Sequence, residues 1–147
     1  MAIRRALRLG LLSVIGVFLL IQVIPYGRDH TNPPVDAEPA WDSPATRELA
    51  SAACFDCHSN ETRWPWYTSV APVSWFTQHD VEEGRETLNF SEWNRPQETD
   101  EVAEAIREGS MPPWTYRVLH PAARLSDAEI RRLIAGLEAT FRASPPG

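Results

Sequence analysis

The chain has no lysine, and only two cysteines and two methionines among its 147 residues. Each scarcity removes a class of reading. With Cys54 and Cys57 as the only thiols, no metal site of four thiolates is available. A zinc site would need His30, His79 or His120 as further ligands, and the usual C-x-x-C…H-x(3–5)-H spacing is missing. Positive charge is also scarce beyond the N-terminus: all 20 acidic residues follow Arg28 against ten of the 14 arginines, so that part carries −10. Such an acidic domain argues against nucleic-acid binding and against docking on anionic lipid; a solvated surface, or steering toward a basic partner, remains. No stretch alternates apolar and polar residues for long, which argues against strands. No Gly-rich phosphate loop occurs, nor a nucleophile with its base, and the acids are scattered through loops and helix starts without a catalytic constellation.

What the chain does have is Cys54-Phe55-Asp56-Cys57-His58, a C-x-x-C-H motif. Two thiols at this spacing can each bond one vinyl group of the same porphyrin, and the histidine that follows lies beneath the ring with an imidazole nitrogen toward iron. The motif thus points to one covalently attached haem c with His58 as axial ligand. The competing reading is a structural or redox disulfide with His58 as a neighbour that tunes it.

At the N-terminus, Arg4, Arg5 and Arg8 precede an uncharged run over residues 9–24 in which only Ser13 and Gln22 are clearly polar. Basic residues before an apolar run predict a signal or membrane anchor, here residues 1–24, and the absence of small residues at its end favours an uncleaved anchor. The positive-inside rule then keeps the arginines in the cytoplasm and places the rest outside a bacterial inner membrane, in the periplasm or beyond, as a single-pass protein. Residues 25–44, with five prolines, read as an extended tether. Residues 45–147 form the predicted domain.

Within that domain Ser43-Pro44 predicts a helix start leading into the cysteine motif. A second helix is predicted from Pro72 to Gly84, carrying Val73, Phe76 and Trp75 inward, and a third after Thr99, which can cap it, with Val102 and Ile106 one turn apart and Gly109 at its end. The last opens on Ser126-Asp127-Ala128-Glu129, a capping box, and carries Ile130, Leu133, Ile134, Leu137 and Phe141 as one apolar stripe. The predicted fold is all-α, a small helical domain wrapped around one haem.

The order of these features, a helix into Cys54-Phe55-Asp56-Cys57-His58, then Met111-Pro112-Pro113, then a final helix from Leu125-Ser126-Asp127, resembles class I c-type cytochromes. Closer still, Cys57-His58-Ser59-Asn60-Glu61-Thr62-Arg63-Trp64-Pro65-Trp66-Tyr67, Ala71-Pro72-Val73-Ser74-Trp75, Leu88-Asn89-Phe90-Ser91-Glu92-Trp93 and Met111-Pro112-Pro113-Trp114 resemble a bacterial haem-binding domain family of cytochrome-c-like modules, over roughly residues 45–140. The resemblance implies covalent haem c in a redox setting, with redox partner proteins such as another c-type cytochrome or a di-haem peroxidase.

For the second iron ligand, Met111 is the only methionine besides the initiator. A thioether favours ferrous iron and raises the potential relative to a second histidine. His79 and His120 are the competing ligands, and a five-coordinate iron is the third arrangement. Trp64, Trp66, Tyr67, Trp75, Phe76, Phe90, Trp93 and Trp114 supply aromatic surface to shield a porphyrin. Arg63, Trp64, Trp66 and Tyr67 are candidate donors to its propionates, and Pro65 or Pro72 a candidate carbonyl for the other nitrogen of His58. These features favour an electron carrier over an enzyme; a haem-based redox or gas sensor and a peroxidase-like haem protein are the alternatives.

Overall fold

The computed structural model describes residues 2–147. Its elements are helical: α1 (Ala2–Ile21), α2 (Pro44–Ala53), α3 (Phe55–His58), α4 (Val73–Thr87), α5 (Val102–Arg107), α6 (Trp114–Leu119) and α7 (Asp127–Ala143), with 3-10 turns at Trp66–Ser69 and Pro121–Ala123. Among the described residues the only β pairing is an isolated bridge between Ala37 and Glu92. The fold is all-helical, as the sequence predicts.

The predicted anchor is not supported. No helix of the described residues is long and apolar enough to cross a membrane. Arg4, Arg5 and Arg8 lie inside α1, and the helix ends at Ile21. The uncharged helical stretch, residues 9–21, spans about 20 Å at 1.5 Å per residue, against about 30 Å of hydrocarbon core. The single-pass placement in an inner membrane with an external domain falls with it.

Two compact units divide the chain, one from residues up to 31 and 64–80, the other from residues 32–63 and 81–147. In the first, Gln22 ties the end of α1 to Ala71: its Nε2 donates to the Ala71 carbonyl at 2.9 Å and its Oε1 accepts from the Ala71 amide at 3.0 Å. His30 stacks on Trp64, with ring centroids 4.5 Å apart. Gly27 has φ +78°, and a Cβ there would stand 2.2 Å from the Ser74 carbonyl oxygen, so glycine is required twice over.

The second unit holds the core. Ser43 caps α2 by accepting from the Thr46 amide, and Ser126 and Glu129 close the expected capping box on α7. Leu133, Ile134 and Leu137 of α7 are buried with Ala50, Phe55, Leu88, Phe90, Trp93 and Ile106. Full burial of such a leucine contributes about 1.5–3 kcal/mol. Phe90 is the hub of an aromatic cluster, 5.2 Å from Trp41, 5.6 Å from Phe55 and 6.0 Å from Trp93 between ring centroids. Gly136 lets α7 approach α2, since a Cβ there would fall 2.1 Å from Thr46 Oγ1.

Two boundaries differ from expectation. Helix α5 starts at Val102 behind Glu101, without a side-chain cap from Thr99. Helix α4 runs through Gly84 to Thr87. Glycine is there for packing: its Cβ would meet the Cys57 carbonyl oxygen at 2.5 Å. Of the proline-rich segment, residues 32–44 lie in the second unit. The Asp36 and Ala37 amides donate to the Ser91 carbonyl at 2.9 and 3.1 Å, and Trp41 packs on the aromatic cluster.

Candidate functional site

The C-x-x-C-H motif sits at the junction of α2 and α3. Cys54 ends α2 with its amide donating to the Ala50 carbonyl and then serves as N-cap of α3, so the turn between the helices lies inside the motif. Both cysteines are in the thiol form and half-buried. Burial, with the neighbouring Cys57 second, pushes the Cys54 thiol up to about 12. A thiol held protonated in this way is a poor nucleophile for disulfide exchange, which weakens the redox-dithiol reading.

His58 is fixed by backbone. Its Nδ1 lies 3.0 Å from the Gly84 carbonyl oxygen and 3.1 Å from that of Leu88, both on or beside the last turn of α4. Carbonyl oxygens only accept, so the proton resides on Nδ1 and the lone pair on Nε2. Burial also lowers the histidine's pKa, against the raising effect of the two carbonyl bonds, and keeps the ring neutral at pH 7. The result is a neutral imidazole in the tautomer a metal ligand needs, oriented from behind. The expected carbonyls of Pro65 and Pro72 are used elsewhere: Pro65 accepts from Thr68, and Pro72 from Trp75.

Asp56, between the two cysteines, is buried and ion-paired. Arg63 donates to it through its backbone amide, Nε and Nη2, each at 3.0 Å, and the Tyr116 hydroxyl donates at 2.6 Å. Burial alone would raise this carboxyl; the bonds from Arg63 and Tyr116 outweigh it and hold the group below its usual range. Arg63, a candidate propionate donor, is thereby committed to Asp56. His120 stacks on Tyr116 at 3.8 Å, with Nδ1 donating to the Tyr116 carbonyl and Nε2 3.9 Å from Asp56. The sequence gave no warning of this cluster beyond the i, i+4 spacing of Tyr116 and His120.

Met111 follows α5, its amide donating to the Ala105 carbonyl at 3.1 Å. The side chain is half-exposed and lines a cavity of about 360 Å³ with Ile106, Trp114, Val118, Leu125, Ile130 and Leu133. Met111 is not in contact with the motif by any hydrogen bond, but its segment is tied there twice: by Tyr116 on Asp56, and by the 3-10 turn Pro121–Ala123, which packs on α2. Of the aromatics, Phe90 and Trp93 are core, Trp114 borders the cavity, and Trp66 and Phe76 are exposed. His79 belongs to the other unit.

This helical domain presents two thiols and a back-pinned neutral imidazole within five residues, a set that could hold a cofactor. The family is identified directly: the model of the haem-binding domain family matches residues 16–139, and the chain belongs to that family. No curated protein and no solved structure matches the chain. The residues present fit a haem. His58 has the required tautomer, the sulfurs are not joined to each other, and a largely apolar cavity bordered by Met111, with Arg117 and Arg124 on its wall and no motif residue in its lining, lies in the same unit.

Proposed function

We propose that this haem-binding domain is a mono-haem c-type cytochrome module that carries single electrons, with Cys54 and Cys57 as thioether attachments and His58 and Met111 as the two axial ligands. The observation that carries the reading is the double carbonyl pin on His58 Nδ1, which puts the ring's lone pair on Nε2, the tautomer an iron ligand needs. Bound there, the haem supplies one-electron chemistry between ferric and ferrous iron. The chain's own residues do the rest. Gly84 and Leu88 hold the imidazole's orientation, and their acceptor oxygens raise its basicity as a ligand. Asp56, Arg63 and the aromatic cluster around Phe55 fix the turn that carries both sulfurs. Apolar side chains at the cavity, Ile106, Leu125, Ile130 and Leu133, exclude water, which favours the less charged ferrous state and keeps the potential high. Electrons would pass to and from redox partner proteins, another c-type cytochrome or a di-haem peroxidase among them.

The test is spectroscopic. Haem-loaded wild type should give a pyridine haemochrome typical of two thioether links, and its ferric form the weak far-red band of a sulfur–iron bond, lost in Met111→Ala. A six-coordinate wild type with that band supports the carrier. A high-spin wild type without it moves the sensor and peroxidase-like readings ahead.

A further inference from the structure

One of the two ties between the Met111 segment and the haem motif is a charged hydrogen bond; the other is the packing of the 3-10 turn Pro121–Ala123 on α2. Tyr116 stands five residues after Met111, across Pro112 and Pro113, and its hydroxyl reaches Asp56 Oδ2 at 2.6 Å. Asp56 immediately precedes Cys57, two positions before His58. The carboxylate is otherwise saturated by Arg63, on Oδ1 through its amide and Nε and on Oδ2 through Nη2, and Arg63 Nη2 also lies 3.5 Å from the tyrosine oxygen. The tyrosine ring is braced on its other side by His120, 3.8 Å away and nearly parallel. The chain between Met111 and Tyr116 has little slack, because two prolines fix φ in succession and α6 begins directly after them. Whatever moves Tyr116 therefore moves Met111.

We propose that Tyr116, anchored by Asp56 and Arg63, is a clasp that closes the Met111 segment over the haem site and sets how easily Met111 yields to an external ligand. Tyr116 is a positioning residue: it acts on ligation through Met111 and touches no reacting atom. The inference rests on Met111 ligation as proposed above, and it answers how a thioether so exposed is kept in place.

Tyr116→Phe tests it, since it retains the ring and its stack on His120 and removes only the donor. The haem-loaded full chain is titrated with imidazole in the ferric state, and amide exchange is followed across residues 114–120. In the variant, imidazole should displace the native ligand with roughly tenfold higher apparent affinity, which corresponds to about 1.4 kcal/mol. The Arg117 and His120 amides, bonded to the Pro113 and Tyr116 carbonyls, should exchange faster while those of α7 stay unchanged. Equal imidazole affinity and equal exchange overturn the clasp. If wild type lacks the far-red band, Met111 ligation itself has failed. The clasp then falls with it, whereas a wild type that shows the band and a Tyr116→Phe variant with unaltered imidazole affinity overturn the clasp alone.

Discussion

Gly84→Ala should destabilise this protein even though it places a better helix former inside a helix. In the interior of α4 the exchange would ordinarily gain about 1 kcal/mol. Here the new Cβ would stand 2.5 Å from the Cys57 carbonyl oxygen, 3.0 Å from its carbon and 3.1 Å from its Cβ. Two of the three obstacles are backbone, so no rotamer relieves the clash and α4 must retreat from the motif. Overpacking of this kind costs about 1–3 kcal/mol, and the upper end applies where nothing flexible can give. The retreat also stretches both carbonyl bonds to His58 Nδ1, each worth about 1 kcal/mol. The net loss is about 2–4 kcal/mol. With a urea slope of about 1–3 kcal/mol per molar, the unfolding midpoint of the haem-loaded protein should fall by about 1 M. Gly109→Ala is the contrast: open space surrounds that Cβ but φ is +75°, so only the left-handed backbone penalty of about 1–2 kcal/mol applies and the carbonyl bonds to His58 are untouched. A midpoint for Gly84→Ala equal to or above wild type would refute the close-approach argument. So would a lowered midpoint with an unaltered haem spectrum, because the imidazole would then not depend on α4.

Two further outcomes are expected. Ser126→Ala removes the hydroxyl that accepts from the Glu129 amide at 3.4 Å and donates to Glu129 Oε2 at 2.6 Å; it should lower stability by about 1 kcal/mol in urea melts without moving the haem spectrum. Acid should destabilise the fold through carboxylates whose folded pKa values are depressed. Arg47 hydrogen bonding outweighs burial at Glu38, and Asn60 and Arg95 do so at Glu92. Groups shifted downward stabilise fully above their unfolded values and lose that contribution as pH falls through the folded ones. The urea midpoint should therefore ease down below about pH 6.5, where His58 with its lowered value takes up a proton first in the unfolded chain, and drop steeply below about pH 4 as the carboxylates protonate, with a smaller acid drop in Glu38→Gln. An acid slope identical in that variant would remove Glu38 from the account.

The parts of this protein that were legible in advance are those whose cause is local. The capping box and apolar stripe of α7 lie within one helix, Ser43-Pro44 announces α2, and the C-x-x-C-H motif is contiguous. The partners of His58 lie 26 and 30 residues away and are backbone oxygens, which carry no residue-type signal. Tyr116 and Asp56 meet across 60 residues, and neither is unusual by itself. The six residues of α6, directly behind two prolines, offer too short a pattern to register as a helix. The N-terminal run misled for a different reason. Hydropathy alone extends to Ile24, whereas the helix stops at Ile21 and begins with its arginines inside.

The separate anchors on the motif bear on what the domain does. Phe55 is packed on Phe90 and Trp41, Asp56 is saturated by Arg63 and Tyr116, and His58 is pinned by Gly84 and Leu88. Each anchor comes from a different element, so no single segment can shift one member of the motif without straining the others. A pentapeptide held this way presents its sulfurs and Nε2 in one arrangement, and such rigidity suits a carrier whose cofactor must change charge with little rearrangement. Met111 is held differently, through its backbone: its amide donates to the Ala105 carbonyl and its segment is tied to the motif by Tyr116 on Asp56 and by the 3-10 turn on α2. The two sides of the proposed iron site therefore differ in stiffness, and any response to an external ligand should arise on the methionine side, with His58 remaining in place.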